Sequence, residues 1–167
     1  LGLGCMEMEF VRGVKKGEEI ALAIGQLAGE KGVALSAHAP YFINFNAHEQ
    51  EKVDASRNRL LHAIQIASLC GARSIVFHAA FYLNDPPSKT YDMVKKQLQE
   101  LACKLKTKDS KVWVRPETTG KLSQLGTLDE VIKLSSEIKG IAPCIDFAHL
   151  HARTGRLNSC SELPRCI

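Results

Sequence analysis

Short apolar runs and longer amphipathic stretches alternate along most of the chain. The short runs have the length and period of strands and cover 5–10, 33–37, 74–77, 111–114 and 141–145. Between them, apolar residues recur three and four positions apart, which predicts helices over 18–31, 49–70, 91–105 and 128–138. Thr127 and Glu130 have the spacing of a capping box at the start of the last helix. The pattern predicts about five β-α units, with no strand following another directly.

Regular alternation of strands and helices predicts parallel strands joined by right-handed crossovers. A residue with a ligand-type side chain stands at or just beyond the end of four of these strands: His38, His78, Glu117 and Asp146. This placement is typical of the active site of an α/β barrel. A doubly wound open sheet is the alternative, although it usually gathers its ligands at one switch point.

The segment after the fifth strand carries the clearest chemical signal. Asp146 ends the apolar run, and His149 and His151 follow on the expected turn. A carboxylate oxygen with an imidazole nitrogen is a ligand set for zinc or a similar divalent ion. In the alternative interpretation, Asp146 caps a following helix and both histidines lie on the surface. Because donors recur at successive strand ends, we predict a metal site; its ligands are His38, His78, Glu117, Asp146 and His149.

Composition indicates which partners and which cellular location to expect for the protein. The net charge of +4 is compatible with a phosphate-bearing partner but does not require one. No apolar run reaches the length of a membrane span and no signal-peptide pattern is present, so we expect no membrane association. The six cysteines are scattered without a Cys-x-x-Cys pair, which argues against a disulfide framework and favours a reducing, cytoplasmic location.

Several motifs along the chain together resemble one family. They are His38-Ala39-Pro40-Tyr41-Phe42-Ile43-Asn44, Ser56-Arg57, Val76-Phe77-His78, Pro116-Glu117-Thr118 and Cys144-Ile145-Asp146-x-x-His149. In order, spacing and ligand type they resemble the endonuclease IV-type apurinic/apyrimidinic endonucleases, in the archaeal-like branch of the xylose-isomerase-like TIM-barrel superfamily. The resemblance extends over nearly the whole chain.

The resemblance implies a (β/α)8 barrel with three zinc ions at its carboxyl-terminal mouth. His38 and His78 would bind one zinc, Glu117 would bridge it to a second that Asp146 also binds, and His149 would bind the third. Glu117 is then the expected catalytic residue. Zinc is the expected metal and Mn2+ the alternative. The implied reaction is phosphodiester cleavage 5′ of an abasic sugar in double-stranded DNA, in base excision repair.

The resemblance also implies contacts with DNA. Tyr41 and Phe42 match residues that wedge into the base stack, although packing over the strand ends is an equal alternative. Lys121 and Arg153 are candidates for phosphate contacts, or are ordinary solvated charges. Steep salt dependence of binding would distinguish DNA from a sugar substrate.

The chain departs from the family in its extent. A complete barrel needs roughly 200 residues or more, and the family's first strand and last two, with their metal ligands, have no counterpart here. We therefore expect residues 1–167 to form a single partial TIM-barrel domain of an α/β protein, as a fragment. Alone, it should be unstable or oligomeric through its open barrel edges. The alternative functions are a divalent-metal sugar isomerase or epimerase of the same superfamily, and an inactive truncated barrel.

Overall fold

The computed structural model describes residues 2–11, 13, 17–107 and 111–156. Its elements are β1 (Cys5–Glu9), α1 (Glu18–Glu30), β2 (Ala34–His38), α2 (Gln50–Leu69), β3 (Ser74–Phe77), β4 (Ala80–Phe81), α3 (Pro87–Thr107), β5 (Trp113–Pro116), β6 (Gln124–Leu125), α4 (Leu128–Glu137) and α5 (Phe147–Thr154). The four predicted helices are confirmed, as is the capping box of α4. Helix α3 begins earlier than predicted because Pro87 is tolerated in a first turn. Residues from 157 onward, including Cys160 and Cys166, lie outside the described part.

A four-stranded parallel sheet in the order β1-β2-β3-β5 organises the chain. Successive strands are neighbours, and the buried side chains of Ile75, Phe77 and Val114 belong to the core that the helices cover. Side chains alternate along a strand, so the intervening residues face the opposite side. The predicted α/β barrel is confirmed as a partial barrel.

The predicted fifth strand at 141–145 is not a continuous strand. Ile141 and Cys144 form isolated parallel bridges, with Val114 and Glu117 respectively. Between the bridges, the N–H of Cys144 donates to the carbonyl of Pro116 in β5, but Pro116 has no backbone N–H to donate in return, so the ladder of hydrogen bonds is interrupted. The segment nevertheless runs beside β5, where a fifth strand would lie.

The expectation that no strand follows another directly is wrong. Strand β4 comes soon after β3 and pairs antiparallel with β6, with Ala80 opposite Leu125 and Phe81 opposite Gln124. Each of these strands has only two residues, too few to show a period in the sequence. The small sheet joins the loops that follow β3 and β5, and so braces the carboxyl-terminal edge of the main sheet.

Two further expectations concern membrane spans and cysteine pairing. Among the residues that the structure describes, no helix combines the length and the apolar character needed to cross a membrane. The cysteines at 5, 70, 103 and 144 are free thiols. Burial raises the pKa of Cys144 to about 12, with the neighbouring Glu117 carboxylate as a further cause. This thiol therefore stays protonated at neutral pH.

Candidate metal centre

The structure brings all five predicted metal ligands together at the carboxyl-terminal edge of the sheet. His38 is the last residue of β2, while His78 and Glu117 directly follow β3 and β5. Asp146 and His149 lie at the start of α5. They form two sets in which the candidate ligand atoms lie within 4.8 Å of one another. The first donor group is His38, His78 and Glu117, and the second donor group is Glu117, Asp146 and His149.

In the first donor group, two imidazoles meet one carboxylate oxygen. Glu117 Oε2 lies 3.4 Å from His38 Nε2 and 2.8 Å from His78 Nε2. His38 Nδ1 donates to the carbonyl of Ala39 at 2.8 Å, which leaves Nε2 without a hydrogen in the neutral ring. A lone pair on Nε2 then faces a carboxylate oxygen, an arrangement that needs a proton or a cation between the two atoms.

The pKa values agree with this geometry. Burial lowers the pKa of His38, but the Glu117 carboxylate and the hydrogen bond to the Ala39 carbonyl together more than offset it, so that the net shift is upward. Burial raises the pKa of Glu117, but the hydrogen bonds from His38 and His78 outweigh it and lower the pKa to about 2. Glu117 is therefore a buried, ionised carboxylate with a side chain 8% exposed. An anion in such a place is stabilised by a cation.

The second donor group lies at the amino-terminal end of α5. Asp146 caps this helix, since its Oδ1 accepts from the backbone N–H of His149 at 2.8 Å. The capping interpretation of Asp146 is thus confirmed, and Oδ2 stays available as a ligand. His149 Nδ1 lies 3.6 Å from Asp146 Oδ2 and 3.7 Å from Glu117 Oε1. Candidate ligand atoms of Glu117, Asp146 and His149 all lie within 4.8 Å of one another, close enough to share one ion.

Thr118 joins the two halves of the site, a role that the sequence analysis did not predict for it. Its hydroxyl oxygen accepts from the backbone N–H of Asp146 at 2.8 Å. Its carbonyl oxygen lies 3.0 Å from His149 Nδ1, so this nitrogen donates to it and leaves Nε2 as the free donor atom of that ring. Thr118 is fully buried. A lone threonine after a glutamate has no spacing signal that could have indicated this role.

The predicted DNA-contacting residues lie around the same edge. Tyr41 and Phe42 are exposed, and the Tyr41 ring centroid lies 5.5 Å from that of His38. Lys121 is exposed. Arg153 is half-buried and its Nη1 donates to oxygens of the chain itself, which gives it a structural role. Contact of these four residues with DNA stays a prediction.

The donor set fits a divalent metal. Each group combines imidazole nitrogen with carboxylate oxygen, the ligands of zinc and of related first-row ions. Hydrogen bonds to the carbonyls of Ala39 and Thr118 orient two of the imidazoles, as is usual for metal-binding histidines. Among the described residues, these are the two groups whose geometry suits an ion. His151 is exposed and bonds instead to the carbonyl of Arg156.

Comparison with solved structures shows the same barrel in enzymes of two kinds. Endonuclease IV from Thermus thermophilus matches with a TM-score of 0.73 and 20% identity, over 90% of this chain and 55% of that one. D-psicose 3-epimerase, solved in the presence of D-fructose, matches with a TM-score of 0.75 and 12% identity, over 99% and 60%. At these identities the likeness shows the fold alone.

Sequence comparison shows the family. An uncharacterized protein of Methanocaldococcus jannaschii is 42% identical over 154 residues, which are 92% of this chain and 55% of that protein. The chain thus spans about half the length of the curated relative it matches. The model of the xylose isomerase-like TIM barrel family matches residues 1–164. By sequence and by fold, the chain belongs to the xylose isomerase-like TIM barrel family.

Proposed function

We propose that this chain carries the metal centre of a zinc-dependent phosphodiesterase of the endonuclease IV type, which cleaves double-stranded DNA at abasic sites. The observation that carries the proposal is the shared carboxylate. Glu117 Oε2 faces His38 and His78, while Oε1 faces His149. A carboxylate between two donor groups suits a pair of ions, and paired ions are common in phosphodiester cleavage.

The residues of the chain prepare this centre before any ion binds. Bound divalent ions would supply an activated water and stabilise negative charge on the phosphate. The low pKa of Glu117 keeps its carboxylate ionised at neutral pH. Ala39 and Thr118 hold the rings of His38 and His149 in place. Binding of ions therefore costs little rearrangement of the ligands.

Two exposed aromatic side chains support DNA as the substrate. Tyr41 and Phe42, three and four residues after His38, are 54% and 68% exposed. Arg59 of α2 donates to the carbonyl of Phe42 at 3.0 Å, which fixes the backbone of this loop. An apolar side chain on a well-held loop beside the metal centre is suited to enter a base stack. The exposed Lys121 and the net charge of +4 favour a polyanion as well.

The test measures zinc binding and strand cleavage with the same 167-residue chain. Zinc content by mass spectrometry is expected to reach at least one ion per chain and to fall in Glu117→Gln. The zinc-loaded chain is expected to cut a duplex with one abasic site and to leave the undamaged duplex intact. Its affinity for the abasic duplex should fall steeply with salt. Zinc binding without cleavage of the abasic duplex would overturn the assignment of the reaction.

A sugar epimerase is the second candidate, and the accessibility of the second donor group favours it. The Asp146 and His149 side chains are each 35% exposed, so a small polyol could reach an ion bound there. Such a reaction needs only one ion, and Mn2+ would serve. Conversion of a ketohexose by the metal-loaded chain, with the abasic duplex left uncut, would select this candidate.

A further inference from the structure

Helix α5 carries one of the metal ligands but has little core packing of its own. It spans eight residues, Phe147–Thr154, and Leu150 is its one buried residue. Isolated helices of this length are not stable in water. The position of His149 therefore depends on contacts between α5 and the chain around it.

The segment 118–126, here called the Glu117 loop, lies directly against α5. A Cβ atom on Gly120 would come within 3.2 Å of the Ala152 side chain and 3.5 Å of the His149 ring. Gly120 thus permits a close approach that a larger residue would disturb. The loop that follows one ligand, Glu117, packs against the helix that carries another.

Arg153, one turn beyond His149 in α5, stabilises this contact by hydrogen bonds to the Glu117 loop. Its Nη1 lies 2.6 Å from the carbonyl of Lys121, 3.0 Å from that of Gln124, and 3.1 and 3.3 Å from the hydroxyl and carbonyl of Thr119. One Nη1 carries two hydrogens, so the four oxygens share them. The Arg153 guanidinium thus lies within hydrogen-bond distance of oxygens from three residues of the Glu117 loop.

We propose that Arg153 is a positioning residue for the second donor group, rather than a contact to DNA phosphate. It follows His149 by four residues, so both side chains lie on the same face of α5. By holding the Glu117 loop against that face, Arg153 sets the separation between Glu117 and His149. The inference rests on the metal centre of the proposed function, and it concerns zinc binding rather than cleavage.

The experiment compares zinc affinity in Arg153→Gln, Arg153→Lys and Arg156→Gln. The last is a matched control, because it removes the same charge from an exposed residue just beyond α5. Each substitution is made in the whole chain and also in the His78→Ala background, which leaves only the second donor group complete. Zinc binding is measured by calorimetry, with far-ultraviolet circular dichroism as the check on folding.

In the His78→Ala background, we expect Arg153→Gln to weaken zinc binding by about 10- to 100-fold. Arg153→Lys should recover part of the affinity because an ammonium also donates to carbonyls. Arg156→Gln should stay within about threefold of its parent. In the whole chain, the first donor group should keep its affinity within the same factor in every variant.

Two results would overturn the inference. One is unchanged zinc affinity in Arg153→Gln together with a shallower salt dependence of DNA binding, which would make Arg153 a phosphate contact. The other is an equal loss of zinc at both donor groups, which would mean general damage to the fold. Neither depends on strand cleavage, so failure of the proposed reaction leaves this test intact.

Discussion

Replacing Glu117 with glutamine should destabilise the metal-free protein only within a limited range of pH. The variant keeps the shape of the side chain but removes the negative charge beside His38 and His78, whose Nε2 atoms lie 3.4 and 2.8 Å from Glu117 Oε2. The attraction is complete only when the carboxylate is ionised and an imidazole is protonated. The variant should therefore lose most stability where both conditions hold.

The pKa values set the size and limits of this effect. The pKa of Glu117 falls from 4.5 to about 2, which corresponds to about 3 kcal/mol at most. Because this pKa is lowered, the ionised Glu117 carboxylate stabilises the fold above pH 4.5. This stabilisation is lost as the pH falls toward 2, with about 2 kcal/mol lost by roughly pH 3. The pKa of His38 is raised, so its share is complete below 6.5 and is lost as the pH rises through the raised value. The largest difference is expected between about pH 4.5 and 6.5.

The assay is urea unfolding followed by circular dichroism, in EDTA, near pH 3, 5.5 and 8 (about the middle and both sides of the window). We expect the difference in free energy of unfolding between the original chain and Glu117→Gln to be largest near pH 5.5. Glu51→Gln, which removes an exposed carboxylate from α2, serves as the control. An equal difference at all three pH values would refute the electrostatic reasoning and leave only a packing effect.

The remaining predictions concern single features of the structure. His78→Ala should abolish zinc binding at the first donor group and leave the second within about threefold, as calorimetry would show. Thr118→Val should cost about 1–3 kcal/mol in urea unfolding, since it leaves the N–H of Asp146 without its acceptor. Phe42→Ala should weaken binding to an abasic duplex roughly tenfold, since stacking of the ring on a base contributes about 1–3 kcal/mol. The zinc content should stay unchanged. Sedimentation should show species larger than the 18.4 kDa monomer, because β1 has a partner strand on one side only among the described residues; a monomer alone would contradict this.

Local patterns were sufficient to predict most of the secondary structure. The helices are amphipathic over several turns, and the capping box at Thr127 and Glu130 places the start of α4. The errors have their causes in neighbouring parts of the fold. The fifth strand is interrupted because Pro116 of the adjacent β5 has no N–H to donate to it, although the apolar run at 141–145 has the composition of a strand. Strands β4 and β6 are too short to produce a period and form because the loops that carry them meet in space.

The sequence by itself determined the class of the fold and the identity of the candidate ligands. Donors at successive strand ends must meet at one edge of a parallel sheet, and this requires only the order of strands and helices. Tertiary structure alone decided how they meet. It placed the Glu117 carboxylate between two donor groups, and it made Thr118 and Arg153 the supports of Asp146 and His149. These contacts join residues about 30 or more positions apart, so they depend on strand register and on the path of loops, which no local pattern of residues encodes.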